Sequence, residues 1–196
     1  MNDRPPSLAG WLLRDATLSL LLVGLMLALS AWSHRQPATA IVWATVASGF
    51  LASYVTSYVV HEWGHLLGGR LAGSRMPLLP YQGALLASFD IAKHDSRQYL
   101  WLSWGGIGGY LGVLGLVCTL LWNWDLGAAG QGLLIGVLAF SSQSLAVDLP
   151  QVLKVHSGGD PVRVSRAGTR PGVILRKTVL AWLTLGAAVY GWRMLL

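Results

Sequence analysis

The chain has 196 residues, of which 54% are hydrophobic and only 11% charged, with a mean hydropathy of +0.53. A water-soluble domain carries about 25% charged residues, so this composition argues against a soluble globular enzyme and rules out a disordered chain. The net charge of +6 would suggest nucleic acid in a soluble protein, but in a membrane protein basic residues first report topology, and no nucleic-acid partner is expected.

About 20 apolar residues at 1.5 Å each cross a hydrocarbon core of about 30 Å. Uncharged runs at 16–33, 36–60, 98–124 and 126–147 meet that length, and a fifth, lower-contrast run at 174–195 is flanked by Arg176, Lys177 and Arg193. The expected fold is a single all-α polytopic membrane domain over 1–196, with five transmembrane helices near 16–33, 38–68, 99–123, 127–150 and 174–195. The first run is full length and starts late, so it reads as a span rather than a cleavable leader. Residues 71–98 carry Pro77, Pro80 and Gly83 and an alternating stretch from Ala87 to Ile91. They read as a turn plus a short strand, a β or re-entrant segment after the second span. Residues 154–172 read as an exposed basic loop with affinity for anionic headgroups of the lipid bilayer.

Arg4, Arg14, Arg70, Arg75, Lys93, Arg97, Lys154, Arg163, Arg166 and Arg170 fall on one side of a five-span chain, whereas the third loop has no Lys or Arg. The positive-inside rule therefore predicts a multi-pass protein of the plasma or inner membrane, with its N-terminus in the cytoplasm. One cysteine, Cys118, permits neither an internal disulfide nor a thiolate zinc site, so any metal must be held by His and carboxylate.

The second run finishes in His61, Glu62, Trp63, Gly64 and His65. Residues four apart share a helix face, so His61 and His65 can address one ion, with Glu62 beside it. This is the H-E-x-x-H zinc pattern, in which the carboxylate takes a proton from water whose pKa the ion has lowered towards 7. Were the helix to end at Val60, the histidines would simply face water. Leu66, Leu67 and the small residues after them argue for continuation. A catalytic zinc needs a third protein ligand. His34 and His156 lie in expected loops and His94 in the irregular segment. Asp148 closes the fourth run and arrives on the same membrane side as the histidines, although a carboxylate there could equally meet headgroup water or Lys154. Ser141 and Ser144 precede it on nearly the same face.

HEWGH in an apolar helix, followed by an irregular or β segment, a glycine-rich helix and a helix ending in aspartate, resembles the core of the site-2 protease family of intramembrane zinc metalloproteases. The resemblance spans roughly residues 40–155. It implies His61, His65 and Asp148 as Zn2+ ligands, Glu62 as general base, and a membrane-protein substrate cleaved on the cytoplasmic side of the membrane. GGIGGYLG at 105–112 takes the place of the family's small-residue motif. The family's Leu-Asp-Gly with upstream Asn-Pro is replaced by AVDLPQ, with Gln143 and Ser144 where polar contacts to substrate would come from. The closest fit is a small, divergent branch without a PDZ-like domain. Ala87, Ser88 and Phe89, in an edge strand over 84–91, would hold an extended substrate by β-augmentation.

The glycine pairs Gly105/Gly109, Gly108/Gly112 and Gly132/Gly136 are expected to pack helices closely. A second functional class, a non-catalytic metal-binding membrane protein or a protease-like scaffold, requires the histidines and aspartate but has no use for Glu62.

Overall fold

A computed structural model describes residues 6–195 except Gln82 and Ala84, with side chains described as far as Gly186. Its helices are α1 (Leu8–Arg35), α2 (Thr39–Leu71), α3 (Ser96–Asn123), α4 (Gly127–His156), α5 (Pro161–Gly168) and α6 (Pro171–Leu195), with one 3-10 turn at Ile91–Lys93. The helices α1 to α4 are each long and apolar enough to cross a membrane. The described fold is therefore all-α, with four helices that suit a membrane by length and composition.

Polarity is distributed as a bilayer demands. Leu13, Leu20, Leu21 and Trp122 are exposed on the outside, whereas Thr45, Ser48, Ser53, Ser57, Ser103, Ser141 and Ser144 are buried. In lipid the outer surface gains nothing by being polar, and hydroxyls can bond between or along helices within. Thr45 does both, donating to Ile41 of its own helix at 2.8 Å and lying 3.2 Å from the Leu29 carbonyl of α1.

α2 is the central helix, packed on α3, α4 and α1. Its seams are made of backbone. A Cβ on Gly64 would strike the Gly105 carbonyl, one on Gly68 the Trp101 carbonyl, and one on Gly109 the Val60 carbonyl, so α2 and α3 touch main chain to main chain. Against α4, Gly49 faces Ala129, and Gly132 and Gly136 face Val46 and Phe50. The expected pairs Gly105/Gly109 and Gly132/Gly136 thus pack as read from sequence. Gly108 and Gly112 do not, since nothing lies within 4 Å of a Cβ at either. Both positions are exposed and lie outside the contact with α2.

Three regions differ from expectation. Helix α4 runs through Pro150 to His156, beyond the expected end at 150. A proline there removes one backbone donor, and side chains answer nearby: Gln151 Nε2 donates to the Val147 carbonyl at 3.0 Å and Lys177 Nζ approaches it at 3.5 Å. The expected loop 154–172 holds the end of α4 and the whole of α5, started by Asp160, whose carboxylate accepts from Val162 N, and by Pro161 at the first helical position. The expected strand 84–91 is reduced to one antiparallel bridge, Leu78 with Ala87, and there is no strand among the described residues. Pro77 has no N–H to give the Ser88 carbonyl, so the ladder cannot lengthen past it, and on the other side the chain turns at Pro80, whose carbonyl accepts from Gly83 N at 3.1 Å. Residue 84 lies outside the described residues. The fifth expected span falls within α6, which packs on α4, with Trp182 Nε1 donating to the Ala139 carbonyl at 3.1 Å.

Candidate metal centre

The helix α2 continues past Val60 by three full turns, so His61, Glu62 and His65 stand on a helix packed on two sides. One ligand atom from each of the three lies within 4.8 Å of the others, a group able to hold a metal ion. The Nε2 atoms of His61 and His65 are 3.0 Å apart, and their ring centroids 4.2 Å.

Each ring is fixed from behind. His65 Nδ1 is 2.9 Å from the Leu102 carbonyl of α3. A carbonyl only accepts, so Nδ1 carries the proton and Nε2 presents its lone pair to the site. The ring lies against Gly106, where any Cβ would collide with it. His61 is buried, flanked by the rings of Tyr110 and Phe140 at 5.8 and 5.6 Å. Its Nδ1 has no partner of hydrogen-bond geometry, although the Gly106 carbonyl acts on the ring.

Asp148 arrives from α4 with Oδ2 3.9 Å from His61 Nε2. It is half-buried, and Lys177 of α6 acts on it electrostatically. The carboxylate of Glu62 lies within the same 4.8 Å of both imidazoles and is held by the backbone N–H of Leu86. Asp148 and Asp15 both bear on it. Three carboxylates and two imidazoles thus converge where α1, α2 and α4 meet the segment that follows α2.

Of the other residues singled out in the sequence, Ser144 is buried one turn before Asp148, and Ser141 is buried with its hydroxyl unpartnered. Gln143 is turned to α2, its Oε1 accepting from Tyr54 OH at 2.8 Å. Ala87 forms the bridge to Leu78, Ser88 N donates to the Pro77 carbonyl at 2.9 Å, and Phe89 stacks on His94 at 4.3 Å. His94 is thereby occupied away from the metal group, with its Nδ1 2.7 Å from the Asp90 carbonyl.

Sequence reasoning passed over Leu102, Gly106, Leu86 and Asp15. The first and third act through backbone atoms, which carry no residue-type signal. Gly106 lies inside the glycine motif but between the two stripes that spacing selects. Asp15 had a signal that went unused: it is an acid beside Arg14 at the start of an apolar run, and such a residue requires a partner.

No family model, no curated protein and no solved structure matches the chain.

Proposed function

We propose that this protein is a membrane-embedded zinc endopeptidase that hydrolyses a peptide bond in or near a transmembrane segment of a membrane-protein substrate. The observation that carries the reading is the pair of imidazole Nε2 atoms 3.0 Å apart inside an apolar bundle, with a carboxylate from the same helix and another from α4 beside them. Two nitrogens each about 2.0 to 2.1 Å from a tetrahedral ion stand about 3.3 Å apart, so a few tenths of an ångström accommodate zinc. His61, His65 and Asp148 would hold it. When bound, the ion lowers the pKa of water and polarises the substrate carbonyl.

The remaining work belongs to the chain. Glu62 accepts a proton from the attacking water and passes it to the leaving amine, so that water is added across the broken amide bond and the carboxylate is regenerated. The Leu86 N–H fixes that carboxylate beside the metal rather than on it. A substrate helix must unwind to expose its carbonyls. In the Leu78–Ala87 bridge the hydrogen bonds run from Leu79 N to Leu86 O and from Ser88 N to Pro77 O. Ala87 is then a non-hydrogen-bonded position whose own N–H and C=O turn to the outer edge, where an extended segment can pair. Glu62 weighs against the non-catalytic scaffold, because metal binding by His61, His65 and Asp148 needs no acidic group on α2. In this reading α6 makes the fifth crossing and the centre lies towards the cytoplasm.

The purified protein should carry about one zinc per chain, lost in the double variant His61→Ala, His65→Ala and strongly reduced in Asp148→Ala. Cleavage of a membrane-peptide substrate should stop with a zinc chelator and return with added zinc. Full zinc occupancy and activity in Asp148→Ala would remove that residue as third ligand, and zinc-loaded protein that cleaves no membrane peptide would remove the proteolytic reading.

A further inference from the structure

Where α1 begins, Arg14 binds the segment after α2 and Asp15 ties it to α2 itself. Arg14 Nε donates to Asp15 Oδ1 at 2.8 Å and its Nη2 lies 2.6 Å from the same oxygen. Arg14 Nη1 donates to the Tyr81 and Gly83 carbonyls, both at 2.9 Å. Asp15, 3% exposed, accepts on its second oxygen from Trp63 Nε1 at 2.8 Å. Trp11 is fully buried under the Arg14 guanidinium, and its Nε1 donates to the Leu79 carbonyl at 2.9 Å. Ser7 N donates to Tyr81 OH at 2.6 Å. Four polar contacts therefore run from α1 and its N-cap Ser7 to the 77–81 arm and Gly83, and the second oxygen of the Asp15 carboxylate reaches the residue next to Glu62.

A buried carboxylate that joins the guanidinium beside it to a tryptophan of α2 is more than a helix end. Guanidinium forks bring geometric specificity to planar acceptors, and the charge-assisted bonds to a buried acid are about twice as strong as neutral ones. Across the bridge, Leu86 is 1% exposed, packs with Trp11, Leu66 and Met76, and gives its N–H to Glu62. We infer that Arg14 and Asp15 are positioning residues: through Tyr81, Gly83 and Trp63 they set the bridged arms 77–81 and 85–89 against Glu62, and so set the height at which the outer edge of Ala87 presents a substrate to the metal centre. The kinetic half of this inference rests on the proteolytic reading, whereas the positional half stands without it.

Hydrogen exchange by mass spectrometry on the full chain in lipid nanodiscs tests the positional half. In Arg14→Gln and in Asp15→Asn, the amides of Leu79 and Ser88 should exchange at least about tenfold faster, the loss of one charge-assisted bond being worth that or more. Peptides from the first half of α2 should exchange as before, and bound zinc should be unchanged. Arg14→Lys, which keeps the charge but cannot reach one carboxylate and two carbonyls together, should fall between. If Asp15→Asn does not fold, Trp63→Phe removes the contact to α2 while leaving a ring in place, and should accelerate the same amides. Unchanged exchange in the folded variants would overturn the inference. In the cleavage assay, the variants should raise KM about tenfold while kcat stays within about twofold, the pattern of lost uniform binding. Faster exchange with unchanged KM and kcat would overturn the substrate-positioning step, and a joint loss of kcat and zinc would make the pair a support of the metal helix instead. A wild-type protein that cleaves nothing would refute the proteolytic reading, and the exchange result would still decide whether α1 holds the arms.

Discussion

At the scale of single residues, Glu62 separates an enzyme from a binder. It is held by the Leu86 amide rather than shared between the histidines, so Glu62→Gln preserves shape and hydrogen bonding to Leu86 while removing the proton acceptor. The variant should bind as much zinc as the parent and cleave at least about 10²-fold more slowly, since general-base catalysis supplies about 10²- to 10⁴-fold and the same group also serves the leaving amine. An undiminished rate in zinc-loaded Glu62→Gln would end the proposed mechanism. Of this centre, His61, Glu62 and His65 were legible because side-chain spacing alone brings them together on one helix. Asp148 was reached only by following the direction of each span. The contacts that aim the rings were not legible, because the Leu102 carbonyl and the space over Gly106 belong to α3, and which face of α3 meets α2 is set by backbone fit that no single residue announces.

At the scale of elements, the α2–α3 seam makes a differential prediction. Gly64 meets the Gly105 carbonyl, backbone that cannot step aside, whereas Gly112 on the same pair of helices has open space. Gly64→Ala should destabilise the protein by about 1 to 3 kcal/mol, as overpacking does, and should disturb zinc binding because His61 and His65 ride on the displaced helix. Gly112→Ala should change stability by no more than about 0.5 kcal/mol. Thermal melts of both variants in one detergent check this, and equal losses would mean that the seam is not where the two backbones meet. The contrast also explains what a glycine count can and cannot tell. Small-xxx-small spacing identifies a stripe, but GGIGGYLG contains two stripes and only the one with Gly105 and Gly109 is used. Helix termini were under-read for a related reason. Asp95 and Gln98 form a reciprocal capping box that starts α3, and Asp160 with Pro161 starts α5. Both signals are local and polar, a few residues each beside apolar runs of 18 or more. Pro150 is carried inside α4, with the Val147 carbonyl beside it accepting from Gln151 Nε2.

At the scale of the whole molecule, the order of helices gathers the chemistry at one end of the bundle. The segments after α2 and after α4 lie at the end that holds His61, His65 and Asp148, while the turns between α1 and α2 and between α3 and α4 lie at the other. Lys93, Arg163, Arg166 and Arg170 are exposed at the first end; at the second, Arg35 is exposed at the end of α1 and Asp125 in a loop with no Lys or Arg. The positive-inside rule predicts that the candidate metal centre faces the cytoplasm, and labelling tests it. Cys118 is exposed along α3 and must first be replaced, as in Cys118→Ser, so that each introduced thiol reports alone. In that background Gln36→Cys and Asp125→Cys should react with an impermeant thiol reagent applied outside intact cells, and Lys93→Cys and Arg163→Cys should react only after the membrane is opened. The four sites are exposed in the fold, so a silent site reports the membrane and not burial. Gln36 reacting while Asp125 does not would break the pairing of the two turns at one end and with it the antiparallel order of α2, α3 and α4. Reversal of all four would keep the fold and invert the protein. It would place Glu62 and the edge at Ala87 towards the outside, so that the peptide bonds within reach would be those at the outer ends of substrate helices.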